Sequence, residues 1–66
     1  MNILLNGETR TLTSSTQLSQ LLQELGLEQK RLAVEINLEI IPRNQYLHTA
    51  LKNGDRIEIV QAIGGG

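Results

Sequence analysis

One stretch of this chain has the periodicity of a helix, and the runs on either side of it have the periodicity of strands. Leu18, Leu21, Leu22 and Leu25 recur at i, i+3, i+4 and i+7, while Ser19, Gln20, Gln23 and Glu24 fill the opposite face. That is the apolar stripe of a helix packed on one side only. Gly26 then stands where a helix end takes a left-handed residue, and Leu27 stands where a Schellman motif places its closing contact, here against Leu22. Upstream, Ser14, Ser15 and Thr16 are candidate caps. Ser14 with Gln17 fits the capping-box spacing, so the N-cap is expected at Ser14 or Thr16.

The flanking runs alternate with period two. Met1, Ile3 and Leu5 share one face, and Asn2, Leu4 and Asn6 the other. Asn6-Gly7 is a type I′ hairpin signal, and Glu8 to Thr13 reads as the return strand, with Leu12 as its apolar contact. After the charged link Gln29-Lys30-Arg31, residues Leu32, Val34 and Ile36 alternate with Ala33, Glu35 and Asn37. The short run Glu39-Ile40-Ile41 pairs back after a turn at Asn37-Leu38, where a leucine at positive φ is strained. Pro42 stops that pairing by removing a donor. Arg43 to Lys52 is expected as a compact connection with a short helical turn, tethered by Leu47 and Leu51, and Asn53-Gly54-Asp55 as the turn into a last strand, Arg56 to Ile63.

The order strand, strand, helix, strand, short strand, strand has too few helices for a ferredoxin-like fold. A right-handed crossover, with the first and last strands adjacent and parallel, gives an α+β architecture. This is the β-grasp (ubiquitin-like) fold, a mixed four- to five-stranded sheet with one main helix packed across it. The expected organisation is a domain over 1–63 and a flexible glycine tail over 64–66, since three consecutive glycines lose much entropy on ordering. The chain has 66 residues, no cysteine and a single aromatic residue, Tyr46. Its stability therefore has to come from aliphatic packing, with neither disulfide nor thiolate metal site. Six basic and seven acidic residues leave a net charge of −1, unlike the basic footprint of a nucleic-acid binder. With no membrane-span-length apolar run and no signal-like start, a soluble cytoplasmic protein is expected.

The ending Gly64-Gly65-Gly66 carries the chemistry. Residues without a Cβ let a chain end enter a narrow channel beside another backbone or a nucleotide. An α-carboxyl ordinarily loses its proton at about pH 3.5, so at neutral pH it is an ionised oxygen nucleophile. Gly66 is thus the candidate reactive residue, with Gly65 and Gly64 its approach. Leu4 and Val60 are expected to face away from the helix. If their strands are neighbours, they form an apolar docking patch, extended by Ala62, near the root of the tail. His48 reads as a solvated surface residue with no partners for a metal, and Arg43 as a solvated cation. Asp55 with Glu58 reads as loop capping on a wet face rather than a catalytic pair. No nucleophile and base arrangement is visible, so no enzyme is expected.

Taken together, Met1-Asn2-Ile3-Leu4-Leu5-Asn6-Gly7, Val34-Glu35-Ile36-Asn37, Ile41-Pro42-Arg43, Asn53-Gly54-Asp55-Arg56-Ile57-Glu58-Ile59-Val60 and the terminal glycines resemble the small sulfur carrier proteins of thiamine (thiazole) biosynthesis, the ThiS family, over the whole length. Tyr46 stands where many of those proteins have tryptophan, and Leu38 where glycine or a polar residue is common. The resemblance implies a carrier that binds no cofactor itself. An E1-like adenylating enzyme would use ATP to activate the Gly66 carboxylate. Sulfur from a cysteine desulfurase system would then give a thiocarboxylate, which thiazole synthase would consume. Other β-grasp sulfur carriers, for molybdopterin or tRNA thiolation, and a ubiquitin-like modifier or interaction domain are the alternative readings.

Overall fold

The computed structural model describes residues 1–13 and 16–61. The expectations at Ser14, Ser15, Ala62, Ile63 and Gly64 to Gly66 lie outside the described residues. Among the described residues there are five strands: β1 (Asn2–Leu5), β2 (Glu8–Thr11), β3 (Leu32–Ile36), β4 (Glu39–Ile41) and β5 (Arg56–Gln61). The α-helix α1 (Leu18–Glu24) and a 3₁₀ helix (Arg43–His48) complete the fold. The strands form one sheet in the order β2-β1-β5-β3-β4. β1 and β5 are adjacent and parallel, with Leu4 opposite Arg56 and Leu5 opposite Ile57, while the other three pairings are antiparallel. This is the β-grasp arrangement expected from the element order.

The two periodicities meet in one core. From the sheet come Ile3, Val34, Ile36, Ile57 and Ile59, and from the helix Leu18, Leu21 and Leu22, closed by Leu12 and Leu51. Burying this aliphatic set is the main stabilising term, at about 25 cal/mol per Å² of apolar surface removed from water. Met1, Leu5, Leu25, Leu27, Leu32, Ile41 and Tyr46 pack around its margin. The first hairpin turns at Asn6 (φ 49°) and Gly7 (φ 85°), as the type I′ signal requires. β2 stops at Thr11, two residues before the expected end. Leu12 then dives into the core, its N–H donating to the Met1 carbonyl at 2.7 Å.

The end of α1 follows the expectation closely. Gly26 has φ 73°. Its N–H donates to the Gln23 carbonyl at 3.0 Å, and the Leu27 N–H donates to the Leu22 carbonyl at 2.9 Å. These are the two bonds of a Schellman motif. Its start differs from the expectation. The N-cap is Gln17, in extended conformation (φ −88°, ψ 155°), not Ser14 or Thr16. Gln17 forms an antiparallel bridge with Ala50. The Leu18 N–H donates to the Thr49 carbonyl at 2.8 Å, and the Leu51 N–H to the Thr16 carbonyl at 2.9 Å. This tertiary pairing keeps the chain extended through Gln17, so helical dihedrals begin only at Leu18. The Gln20 side chain then accepts from the Gln17 N–H at 2.7 Å. Thr16 is buried and its hydroxyl donates to the Thr13 carbonyl at 2.8 Å.

The connection after Pro42 needs a second correction. Leu51 is buried as expected, but Leu47 is 70% exposed, and Tyr46 packs against the core in its place. At three residues per turn, adjacent residues of the 3₁₀ helix point in well-separated directions, and here the larger ring takes the inward one. Leu47 is left on the rim of a shallow groove of about 200 Å³ shared with Tyr46, Ser19, Leu22, Gln23 and Glu28.

Candidate functional site

β5 is the strand that leads to the terminal glycines, and it lies in the middle of the sheet. On one side β3 pairs with it from Ile36 opposite Ile57 to Leu32 opposite Gln61. On the other side the Leu4 N–H donates to the Asp55 carbonyl and the Asn6 N–H to the Ile57 carbonyl, both at 2.9 Å. Ile57 and Ile59 are buried beneath α1, so every second residue of β5 locks it to the core. The strand is an anchored base for whatever follows Gln61.

Two turn asparagines reinforce it. Asn6 Oδ1 accepts from the Ile59 N–H at 2.8 Å, and its Nδ2 donates to the Ile59 carbonyl at 3.2 Å. Asn37 Oδ1 accepts from the Arg56 N–H at 3.0 Å, and its Nδ2 donates to Asp55 Oδ1 at 3.0 Å. Asp55 is 5% exposed, and its other oxygen accepts from the Lys52 N–H at 2.8 Å. The capping role expected of Asp55 holds, but it is performed by a buried carboxylate instead of one on a wet face. Glu58 lies elsewhere, on the outer face, 3.7 Å from Arg56. An exposed pair of this kind contributes little.

Leu4 and Val60 both lie on the sheet face away from α1, 41% and 64% exposed. They are not neighbours. Leu4 stands beside Arg56 and Val60 beside Ala33, so four residues of strand separate them along β5, about 13 Å. The apolar neighbours of Val60 come instead from the other side. Ala33 is directly opposite, and Ile40, 74% exposed, sits on β4 opposite Glu35 and diagonal to Ala33. Ile40 escapes a reading of the sequence because adjacent Ile40 and Ile41 do not declare which faces in. The signal lies in the register, since Val34 inside pairs with Ile41 and so turns Ile40 out. Ala62 and the glycines fall beyond the described residues. His48 is exposed, and Arg43 donates to the Lys30 carbonyl at 2.8 Å. Among the described residues no cluster of His, Cys, Asp or Glu could hold a metal, and no helix is long and apolar enough to cross a membrane.

Among the described residues, a central parallel β1/β5 pair under one short α-helix, with β5 followed in sequence by the glycines, defines a small β-grasp protein. The chain belongs to the ThiS family, which matches residues 3–66. It is 33% identical over 66 residues to the sulfur carrier protein ThiS of Escherichia coli, with both chains fully covered. The crystal structure of the thiamine biosynthesis protein ThiS from Geobacter metallireducens superposes with a TM-score of 0.85 at 33% identity, again covering both chains completely. The thiazole synthase of Paramagnetospirillum magneticum is 46% identical over 66 residues, and there the match takes all of this chain but 20% of the relative. The chain thus spans about a fifth of the length of that relative and of a second thiazole synthase, from Magnetococcus marinus.

Proposed function

We propose that this protein is a sulfur carrier whose Gly66 carboxylate is the working group, in the synthesis of the thiazole ring of thiamine. The observation that carries the reading is a β5 pinned on both edges and leading to Gly64-Gly65-Gly66 in a chain of the ThiS family. An E1-like adenylating enzyme binds the carrier and ATP. A Gly66 carboxylate oxygen attacks the α-phosphorus, pyrophosphate leaves, and an acyl-adenylate forms. A cysteine desulfurase system supplies persulfide sulfur, a thiol reductant gives it two electrons, and the resulting sulfide attacks the acyl carbon. AMP departs with the electron pair of the broken C–O bond, and a thiocarboxylate remains. Thiazole synthase then takes the sulfur. The thiazole synthases that contain a segment like this chain support that choice of acceptor.

In this scheme the chain is a protein co-substrate and not an enzyme. It holds no cofactor of its own, because ATP belongs to the activating partner, and the setting is the cytoplasm. The glycines fit the role because a side chain near the end would obstruct a channel narrow enough to exclude water. The outer face of the sheet is the docking surface, with Val60, Ala33 and Ile40 as its apolar centre and Leu4 as a separate contact. Placing arginine at Val60 or Ile40 leaves the core untouched. Either change is expected to raise the KM for the carrier at least about tenfold, the cost of burying an unpaired charge in an apolar contact. An unchanged KM in folded variants would remove this face from the interface.

The function itself is tested by intact mass spectrometry after incubation with the adenylating enzyme, ATP and sulfide. The expected product is heavier by the exchange of one oxygen for sulfur, and a chain lacking Gly66 stays unmodified. An unmodified full-length chain, with an enzyme competent on its own carrier, would refute the assignment.

A further inference from the structure

The strand that leads to the working end is supported unequally along its two edges. On the β3 side its backbone is paired from Ile57 to Gln61. On the other side β1 lies beside Arg56 and Ile57 and then turns away at Asn6-Gly7 into β2. Next to Ile59 the place of a neighbouring strand is taken by a side chain. The Asn6 carboxamide accepts from the Ile59 N–H at 2.8 Å and donates to the Ile59 carbonyl at 3.2 Å. A carboxamide carries the donor and acceptor of a peptide group, so it completes the ladder where the backbone has left it. Aspartate would supply the acceptor alone. Asparagine also tolerates the φ of 49° that the turn imposes.

Asn37 makes the comparison informative. It too has positive φ in a hairpin turn, 52°, and its amide also binds β5, but at the start of the strand, on Arg56 and Asp55. Two similar clamps therefore grip one strand, Asn37 at its start and Asn6 at Ile59, closer to Gln61.

We propose that Asn6 is a positioning residue for the C-terminal carboxylate. By holding Ile59 on the edge that β1 does not reach, its amide fixes where and in which direction β5 hands the chain end to a partner's active site. The proposal rests on the carrier reading above. Without the amide, the last residue of β5 held on both edges becomes Ile57. Beyond Ile57, β5 is then held by β3 alone, up to Gln61. A strand held on one edge twists more freely, so the direction in which it leaves Gln61 is less well fixed and productive alignment is rarer.

The test compares Asn6→Gly with Asn37→Gly. Glycine keeps both turns at positive φ and removes only the amide. Initial rates of ATP–pyrophosphate exchange by the adenylating enzyme are measured against carrier concentration, well below the Tm of each variant, with amide hydrogen exchange at Ile59 in parallel. Asn6→Gly is expected to speed exchange at Ile59 and to lower kcat about two- to fivefold with KM unchanged. Asn37→Gly should keep the wild-type kcat. Asn6→Asp retains one of the two bonds and should show the same split with a smaller fall. It also serves as the reporter if the glycine variant unfolds. A kcat unchanged in the Asn6 variants, or lowered equally in both glycine variants, would reduce Asn6 to a structural role and overturn the proposal. A wild-type chain that supports no exchange is a different result, which overturns the carrier reading and this proposal with it.

Discussion

Leu38 is the residue with the clearest local conflict. It stands at φ 71° in the β3–β4 turn, directly after Asn37 at φ 52°, and its side chain is exposed. A left-handed conformation costs a branched residue about 1–2 kcal/mol. Glycine would remove that strain while adding about 0.5–1 kcal/mol of unfolded-chain entropy. Leu38→Gly is therefore expected to stabilise the fold by about 0.5–1 kcal/mol, a rise in Tm of about 3–6 °C for a domain this small. A lower Tm in thermal denaturation would show that the leucine makes a compensating contact. The conflict was legible in the sequence because Asn37-Leu38 sits where Asn-Gly is wanted. The exposure of Leu47 was not, since a 3₁₀ turn gives no periodic signal that separates Leu47 from Tyr46.

Among the elements, α1 shows most plainly what a pattern settles and what tertiary structure adds. Its leucine stripe and Schellman end were readable, because both are local properties of spacing and of one glycine. Its N-cap was not, because Gln17 is held extended by a bridge to Ala50, thirty-three residues later. With seven residues the helix is too short to persist alone, since isolated helices below about 12–15 residues are marginal in water. Packing must hold it. Leu21 is fully buried, and Leu21→Ala is expected to cost about 2–5 kcal/mol. A chain of this length has about 3–10 kcal/mol of stability in total. Urea denaturation should show the midpoint fall by about a fifth or more. A loss below about 1 kcal/mol would mean that the sheet folds without the helix stripe.

At the scale of the molecule, strand order followed from element order and the handedness of the crossover. The composition of the outer face did not, because it depends on register. Leu4 and Val60 share that face but not a neighbourhood, and the partners of Val60 are Ala33 and Ile40. The architecture separates two tasks. The core, formed among the described residues by side chains from Ile3 to Ile59, fixes the shape, while the proposed chemistry belongs to the carboxylate of Gly66. Adding one alanine after Gly66 tests that separation on the whole protein. The addition touches no core residue, so Tm should stay within about 1 °C of the wild type, as surface changes away from packed features usually do. The α-carboxylate, however, moves outward by one residue, about 3.3–3.6 Å, and a methyl group now sits beside it. In-line attack on a bound nucleotide needs reacting atoms about 3–3.5 Å apart, so neither adenylate nor thiocarboxylate should form. Full thiocarboxylate formation by the extended chain, with its fold intact, would show that the position of the chain end is not what the adenylating enzyme reads.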